Sequence, residues 1–147
     1  RFFSGELRTG EALSVPIIKK IKEQQDDLVI IDCPPGTSCP AVESVDGADF
    51  ALLVTEPTPF GEHDLRGMIT VCRRLEIPCG VVINRSSEDD GIIERLCKAE
   101  DVPVLMRIPF DRKVAETYAK GGSLLEAMPG IKEELKDMFT EIRGMRR

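Results

Sequence analysis

The stretch Leu28-Val29-Ile30-Ile31-Asp32-Cys33-Pro34-Pro35-Gly36 concentrates chemistry in nine residues. A run of branched apolar residues ends in a carboxylate, followed by a rigid Pro-Pro turn and a glycine. Such a run suits a strand buried on both faces of a parallel sheet. In open α/β sheets ligands bind beyond the carboxyl ends of the strands, where Asp32 would stand. Its carboxylate can hold Mg²⁺ directly or through water. Pro34 and Pro35 fix φ and donate no amide hydrogen bond. Gly36 then offers the first free N–H, with no Cβ to keep a phosphate away. On residues alone the stretch reads equally as a metal-holding acid leading into a phosphate sensor, or as a buried strand ending in an ordinary Asp and a Pro-Gly turn.

The elements that would position these groups alternate between strand and helix. Ser14 is expected to cap a helix with Pro16 in its first turn and Ile17, Ile18 and Ile21 on one face, leaving Lys19, Lys20, Lys22 and Glu23 solvated. Leu28–Asp32 is expected as the central strand, and Ala41–Val45 as a short helix. A second strand, Phe50–Thr55, is broken by Glu56-Pro57-Thr58-Pro59. Thr58 can cap the next helix with Pro59 at its first position, and Leu65, Met68, Ile69, Cys72 and Leu75 follow helical spacing. Cys79–Asn84 is a third strand, followed by a helix capped at Ser86 or Ser87. Val104–Ile108 is a fourth, stopped by Pro109. A helix from about Asp111 to Lys120 ends at Gly121-Gly122, and a last helix carries Ile131, Leu135, Met138, Phe139 and Ile142. Residues 2–11 read as an extended edge segment with turns. The alternation implies an α/β domain with a mostly parallel sheet and helices on both faces. Every strand delivers a polar or turn-forming group to one edge: Asp32, Glu56, Asn84, and Pro109 with Phe110. Asn84 has the donor–acceptor pair needed to read a base edge. Arg85 can stack on a base or reach a phosphate, and Pro109-Phe110 can wall a base. Asn84 reads equally as a turn residue after a strand, and Arg85 as a solvated charge.

The 147 residues are 41% hydrophobic and 31% charged, the balance of one domain with a real core. A net charge of −6 argues against nucleic acid as a partner. No apolar run reaches the roughly 20 residues of a membrane span, and no signal peptide is visible. The five cysteines, Cys33, Cys39, Cys72, Cys79 and Cys97, are odd in number and form no Cys-x-x-Cys, which points to reduced thiols in the cytoplasm. Cys72 and Cys79 read as core. Cys33 and Cys39 flank the Pro-Pro-Gly turn, where thiol chemistry or a shared metal is the alternative to the favoured inert role. His63, the lone histidine, reads as a surface residue. The chain begins mid-phrase at Arg1 and is expected to be a piece of a longer protein.

Taken in order, Gly5-Glu6-Leu7, Asp27 to Gly36, Cys39-Pro40, Val54 to Thr58, His63-Asp64-Leu65, Val82 to Arg85 and Ile108-Pro109 resemble the second half of a MinD/ParA-type P-loop ATPase, most of all the archaeal and bacterial members with an inserted ferredoxin domain. That resemblance implies a P-loop NTPase-like fold over residues 1–147, lacking the phosphate-loop strand. It places Asp32 at the Mg²⁺ and water-organising site and Gly36 in the switch that senses the γ-phosphate. Asn84 and Arg85, with Pro109 and Phe110, fall on the adenine side. Pro35, Cys39, Glu56 and Asp64 fall at switch or dimer contacts. The implied cofactors are ATP and Mg²⁺, with iron–sulfur clusters only in the missing part, if at all. The implied partners are the missing N-terminal half and a second copy; the charge and composition of the chain add no nucleic acid by itself and no membrane segment.

The resemblance has one large departure. Nothing in the chain matches Gly-x-x-x-x-Gly-Lys-Ser/Thr, so most of the phosphate cradle is absent. ATPase activity is therefore expected of the intact parent, a dimeric switch coupled to an iron–sulfur or redox partner, and not of this chain alone. The competing reading is a non-catalytic doubly wound interaction module. A phospho-receiver or flavodoxin-like domain is disfavoured, because Ile108-Pro109 stands where a receiver needs Lys-Pro.

Overall fold

The computed structural model describes residues 1–6, 14–24 and 26–145. Among these described residues ten elements follow one another: α1 (Val15–Lys22), α2 (Cys39–Val45), β1 (Ala51–Thr55), α3 (Pro59–Arg74), β2 (Cys79–Ser86), α4 (Gly91–Ala99), β3 (Val104–Pro109), α5 (Arg112–Ala119), α6 (Leu124–Ala127) and α7 (Ile131–Met145). The three strands form one parallel sheet in the order β1-β2-β3. Their carboxyl ends therefore share one edge, as the alternation of elements requires.

The apolar pattern explains the layering. Successive residues of a strand face opposite sides, and β2 is buried from Gly80 through Ile83. Val81 and Ile83 join Ala51 and Leu53 of β1 in a core closed by Leu65, Ile69 and Cys72 of α3 and Ile93, Leu96 and Cys97 of α4. Val82, between them, joins Met106 of β3 in a second core covered by Ile131, Leu135, Met138 and Ile142 of α7. The helices thus lie on both faces, as expected. Toward β1 this second face is uncovered, and Val54 is 64% exposed.

Local chemistry sets most element ends. The Thr58 hydroxyl accepts from the Gly61 N–H at 3.0 Å and Pro59 opens α3, as expected. Asp111 caps α5, accepting from the Lys113 N–H at 2.8 Å, and Gly121 follows its last turn at φ +79°. The short α6 is an addition to the sequence reading. It is held by a capping box between Ser123 and Glu126.

Several expectations are corrected. The largest concerns Leu28–Asp32, which is not a strand: Leu28, Val29 and Ile30 are exposed, Ile30 at 82%. β-structure is completed by a neighbour's amides and carbonyls, and none of the three strands pairs with this run. Helix α4 begins after Asp90, not at Ser86 or Ser87, because Ser86 stays in β2 and its hydroxyl donates to the Asp90 carboxylate. Ser14 precedes α1 but its side chain makes no capping bond. Lys22 is only partly solvated: its ammonium donates to the Glu43 and Asp46 carbonyls, both at 2.6 Å, at the end of α2, a favourable place for a cation. The expected edge segment falls partly outside the described residues, and its described part, residues 2–6, is exposed and forms no strand.

Burial differs sharply between Ile83, with no exposed surface, and the outward Val54. Ile83→Ala is expected to cost about 2–5 kcal/mol in urea unfolding, and Val54→Ala less than about 0.5 kcal/mol.

Candidate functional site

An open cleft of about 300 Å³ lies at the carboxyl edge of the sheet, lined by Glu56, Pro57, Thr58, Arg85, Ser87 and Phe110. Each strand contributes the residues that follow its last buried position, so the cleft is a direct product of parallel pairing. Around β1, the Thr55 hydroxyl donates to the Gly61 carbonyl at 3.0 Å while the Thr58 hydroxyl caps the same turn. A Cβ at Gly61 would stand 2.8 Å from the Thr55 Oγ1 and against the Glu56 carbonyl, so only glycine lets α3 start this close to the cleft.

The β2 contribution depends on a bulge. Asn84 pairs with Ile108 and Ser86 with Pro109, so Arg85 is an extra residue in β2 with no counterpart in β3. It takes φ +54°, a left-handed conformation uncommon for a non-glycine residue. Bulges re-aim side chains at sheet rims, and here the guanidinium stands 5.1 Å from the centre of the Phe110 ring and 3.5 Å from the Glu56 carboxylate. Phe110 is held in turn by its N–H, which donates to the Ser86 carbonyl at 2.9 Å. The cleft thus offers a cation on an aromatic face, a carboxylate beside it and a capping hydroxyl. That set can stack a flat heterocycle and bond to its polar rim.

Of the residues singled out from sequence, the structure brings Glu56, Arg85 and Phe110 together. Asn84 is half-buried in the ladder one residue before the bulge, and Pro109 ends β3 opposite Ser86. Neither lines the cleft. Asp32, Pro35, Gly36, Cys39 and Asp64 do not line it either. Asp32 is exposed, and no hydrogen bond or ion pair engages its carboxylate among the described residues. Gly36 has φ +77° with open space where a Cβ would stand, so its backbone conformation, and not crowding, favours glycine. Cys39 is exposed at the first position of α2, and Asp64 is half-buried on α3.

Among the described residues no three His, Cys, Asp or Glu side chains gather as a metal cage. A single unengaged carboxylate such as Asp32 suits Mg²⁺, which keeps most of its waters and takes one or two carboxylates plus phosphate oxygens. Beside it, the Cys33 thiol is pushed up, chiefly by loss of solvation, with the Asp32 charge adding and a hydrogen bond with Ser44 opposing. In the core, the hydrogen bond to Cys79 and then burial raise the Cys72 thiol far above its ordinary range.

Sequence reasoning missed Asp90, Pro57 and Ser87. Asp90 is a buried acid that accepts from the Ser86 hydroxyl at 2.5 Å and the Ser87 N–H at 3.0 Å. Its signal was present as Ser-Ser-x-x-Asp, a serine pair followed at turn spacing by an acid. The bulge had no signal, because arginine is not a residue that announces a positive φ.

A family model described as NUBPL iron-transfer P-loop NTPase, under the heading ParA, matches residues 11–144. An uncharacterized protein of Methanocaldococcus jannaschii is 32% identical over 126 residues, covering 83% of this chain and 44% of that protein. The cytosolic Fe-S cluster assembly factor NUBP2 homolog of Nematostella vectensis is 34% identical, covering 79% of this chain and 50% of that protein. Among solved structures, the cell division ATPase MinD of Pyrococcus furiosus superposes with a TM-score of 0.66 at 26% identity, over 89% of this chain and 57% of that one. The septum site-determining protein MinD of Pyrococcus horikoshii, complexed with Mg-ADP, superposes with a TM-score of 0.62 at 28% identity, over 85% and 53%. The chain spans about half the length of these relatives. No helix among the described residues is long and apolar enough to cross a membrane.

The raised Cys33 thiol leaves less thiolate near neutral pH than an ordinary cysteine has. Iodoacetamide at pH 7.5 is expected to label Cys33 more slowly than a cysteine in an unstructured peptide. Mass spectrometry of the digest measures this, and equal or faster labelling would contradict a raised Cys33 thiol.

Proposed function

Because this chain belongs to the ParA/NUBPL family of P-loop NTPases, we propose that it forms the base-side part of an adenine-nucleotide site in a Mg-ATP-dependent switch. The observation that carries this reading is the cleft in which three parallel strand ends converge, with Arg85 thrust out of the ladder onto Phe110 and beside Glu56. A purine stacks on such a platform, and Asn84, one residue away, has the donor and acceptor to read its edge. Pro109 and Phe110 border the base. Asp32 supplies the carboxylate for Mg²⁺, directly or through water, and Gly36 the backbone N–H of the phosphate-sensing turn. Bound Mg²⁺ would neutralise phosphate charge and order the attacking water.

Phosphoryl transfer rests on positioning and charge, and the amides and lysine of a phosphate loop supply most of both. None is present in residues 1–147. The chain therefore acts as the C-terminal part of a single ATPase domain, and the N-terminal part is its first partner. The exposed Leu28–Ile30 run fits that role, since it has the composition of a buried strand and no ladder of its own. In the intact protein, nucleotide binding drives dimerisation through contacts near Pro35, Cys39, Glu56 and Asp64. Hydrolysis then serves an iron–sulfur or redox partner in the cytoplasm. The relative described as a cytosolic Fe-S cluster assembly factor supports that last step.

Two experiments test this reading. Pure 1–147 chain is expected to hydrolyse no ATP and to bind Mg-ATP too weakly for micromolar calorimetry. Turnover or micromolar binding would mean the site is complete without a phosphate loop. In the intact protein, Asp32→Asn is expected to preserve the fold, seen by circular dichroism, and to lose most ATPase activity, since the amide keeps the size but not the charge. Unchanged turnover would remove Asp32 from the chemistry.

A further inference from the structure

The bulge that presents Arg85 is costly to hold. A left-handed non-glycine residue is unfavourable, and it persists only where its surroundings hold it fixed. Two sets of hydrogen bonds hold the residues that follow Arg85. One is the Phe110 N–H to the Ser86 carbonyl at 2.9 Å. The other is the Ser87 N–H to Asp90 Oδ1 at 3.0 Å, with Asp90 Oδ2 accepting from the Ser86 hydroxyl at 2.5 Å. Asp90 is 5% exposed. Its carboxylate lies 3.8 Å from the Arg107 Nε, and Arg107 is tied on by Glu94 at 2.7 Å. A buried carboxylate with two donors and a cation is fixed in orientation, and both donors belong to the residues that follow Arg85.

From this geometry we infer that Asp90 is a positioning residue for the cleft: it locks the turn after the β2 bulge, and so sets where Arg85 and Phe110 present their stacking surface to a purine. Asp90 does not itself line the cleft, although Ser87, which it holds, does. It acts through Ser86 and Ser87, and Ser86 passes the constraint to Phe110 through its carbonyl. This inference rests on the base-side reading proposed above.

The test measures Mg-ADP and pyrophosphate binding separately in the full-length protein by calorimetry, with melting temperature as the control for folding. Asp90→Ala is expected to weaken Mg-ADP about tenfold, the equivalent of one or two hydrogen bonds, and to leave pyrophosphate affinity unchanged. Asp90→Asn keeps an acceptor for the Ser87 N–H and is expected to recover most of the loss. A folded Asp90→Ala protein with undiminished Mg-ADP affinity overturns the inference, and so does a parallel loss of both ligands, which is the signature of a purely structural role. Should Asp90→Ala fail to fold, Ser86→Ala decides: weaker Mg-ADP with unchanged pyrophosphate supports the inference, and unchanged Mg-ADP overturns it. Arg85→Ala and Phe110→Ala separate the two readings. If both leave Mg-ADP affinity intact, the base-side reading has failed and takes this inference with it. If they weaken it while the Asp90 variants do not, only the role of Asp90 has failed.

Discussion

Three consecutive residues of β2, Val81, Val82 and Ile83, are buried by different neighbours on opposite faces of the sheet. Val81 and Ile83 need α3 and α4 on one side, and Val82 needs α7 on the other. A strand buried on both faces is central, so β1 and β3 must flank it, and crossover helices make all three parallel. Parallel strands end at the same edge. The cleft follows from this: Glu56, Arg85 and Phe110 are each separated from a buried strand residue by a few positions, and the ladder brings those positions together.

Regular pairing alone would leave Arg85 as one more rung of the ladder. The extra residue in β2 breaks the register and turns the side chain toward Phe110. The surroundings that hold this irregular corner are unusually polar for a half-buried site: Ser86, Ser87 and Asp90 on one chain segment, with Arg107 reaching across from β3. Buried polar groups are tolerated where every member is satisfied, and no buried side-chain nitrogen or oxygen among the described residues lacks a partner. Strain and its compensation sit side by side at the rim of the sheet, where a ligand would bind.

The two halves of the chain differ in how they are held. From β1 onward the packing is dense, and the buried residues form the two sheet-covering cores. Before it, α1 and α2 pack on one another, with Lys22 tying their ends together. The residues with the strongest claim to metal and phosphate chemistry, Asp32 and Gly36, stand in this less supported region. The chain belongs to a P-loop NTPase family, and residues 1–147 contain no Gly-x-x-x-x-Gly-Lys-Ser/Thr loop.

Much of this was legible from residue order. Strand–helix alternation, the Thr58-Pro59 start of α3, the Asp111 cap and the α7 stripe are local patterns, written in a few neighbouring residues whose chemistry acts through hydrogen bonds and burial within one or two turns. The grouping of Glu56, Arg85 and Phe110 was legible too, since parallel topology sends all strand ends to one place. Three features were decided only by tertiary contact. Leu28–Asp32 has the sequence of a strand, but a strand exists through its neighbour's hydrogen bonds, and among the described residues it has no such neighbour. Asn84 and Pro109 stand one residue from the cleft without lining it, because each is still paired in the ladder, Asn84 with Ile108 and Pro109 with Ser86. Asp90 is an acid in a charged turn by sequence, and becomes a buried brace only because Ser86, Ser87 and Arg107 converge on it from two strands.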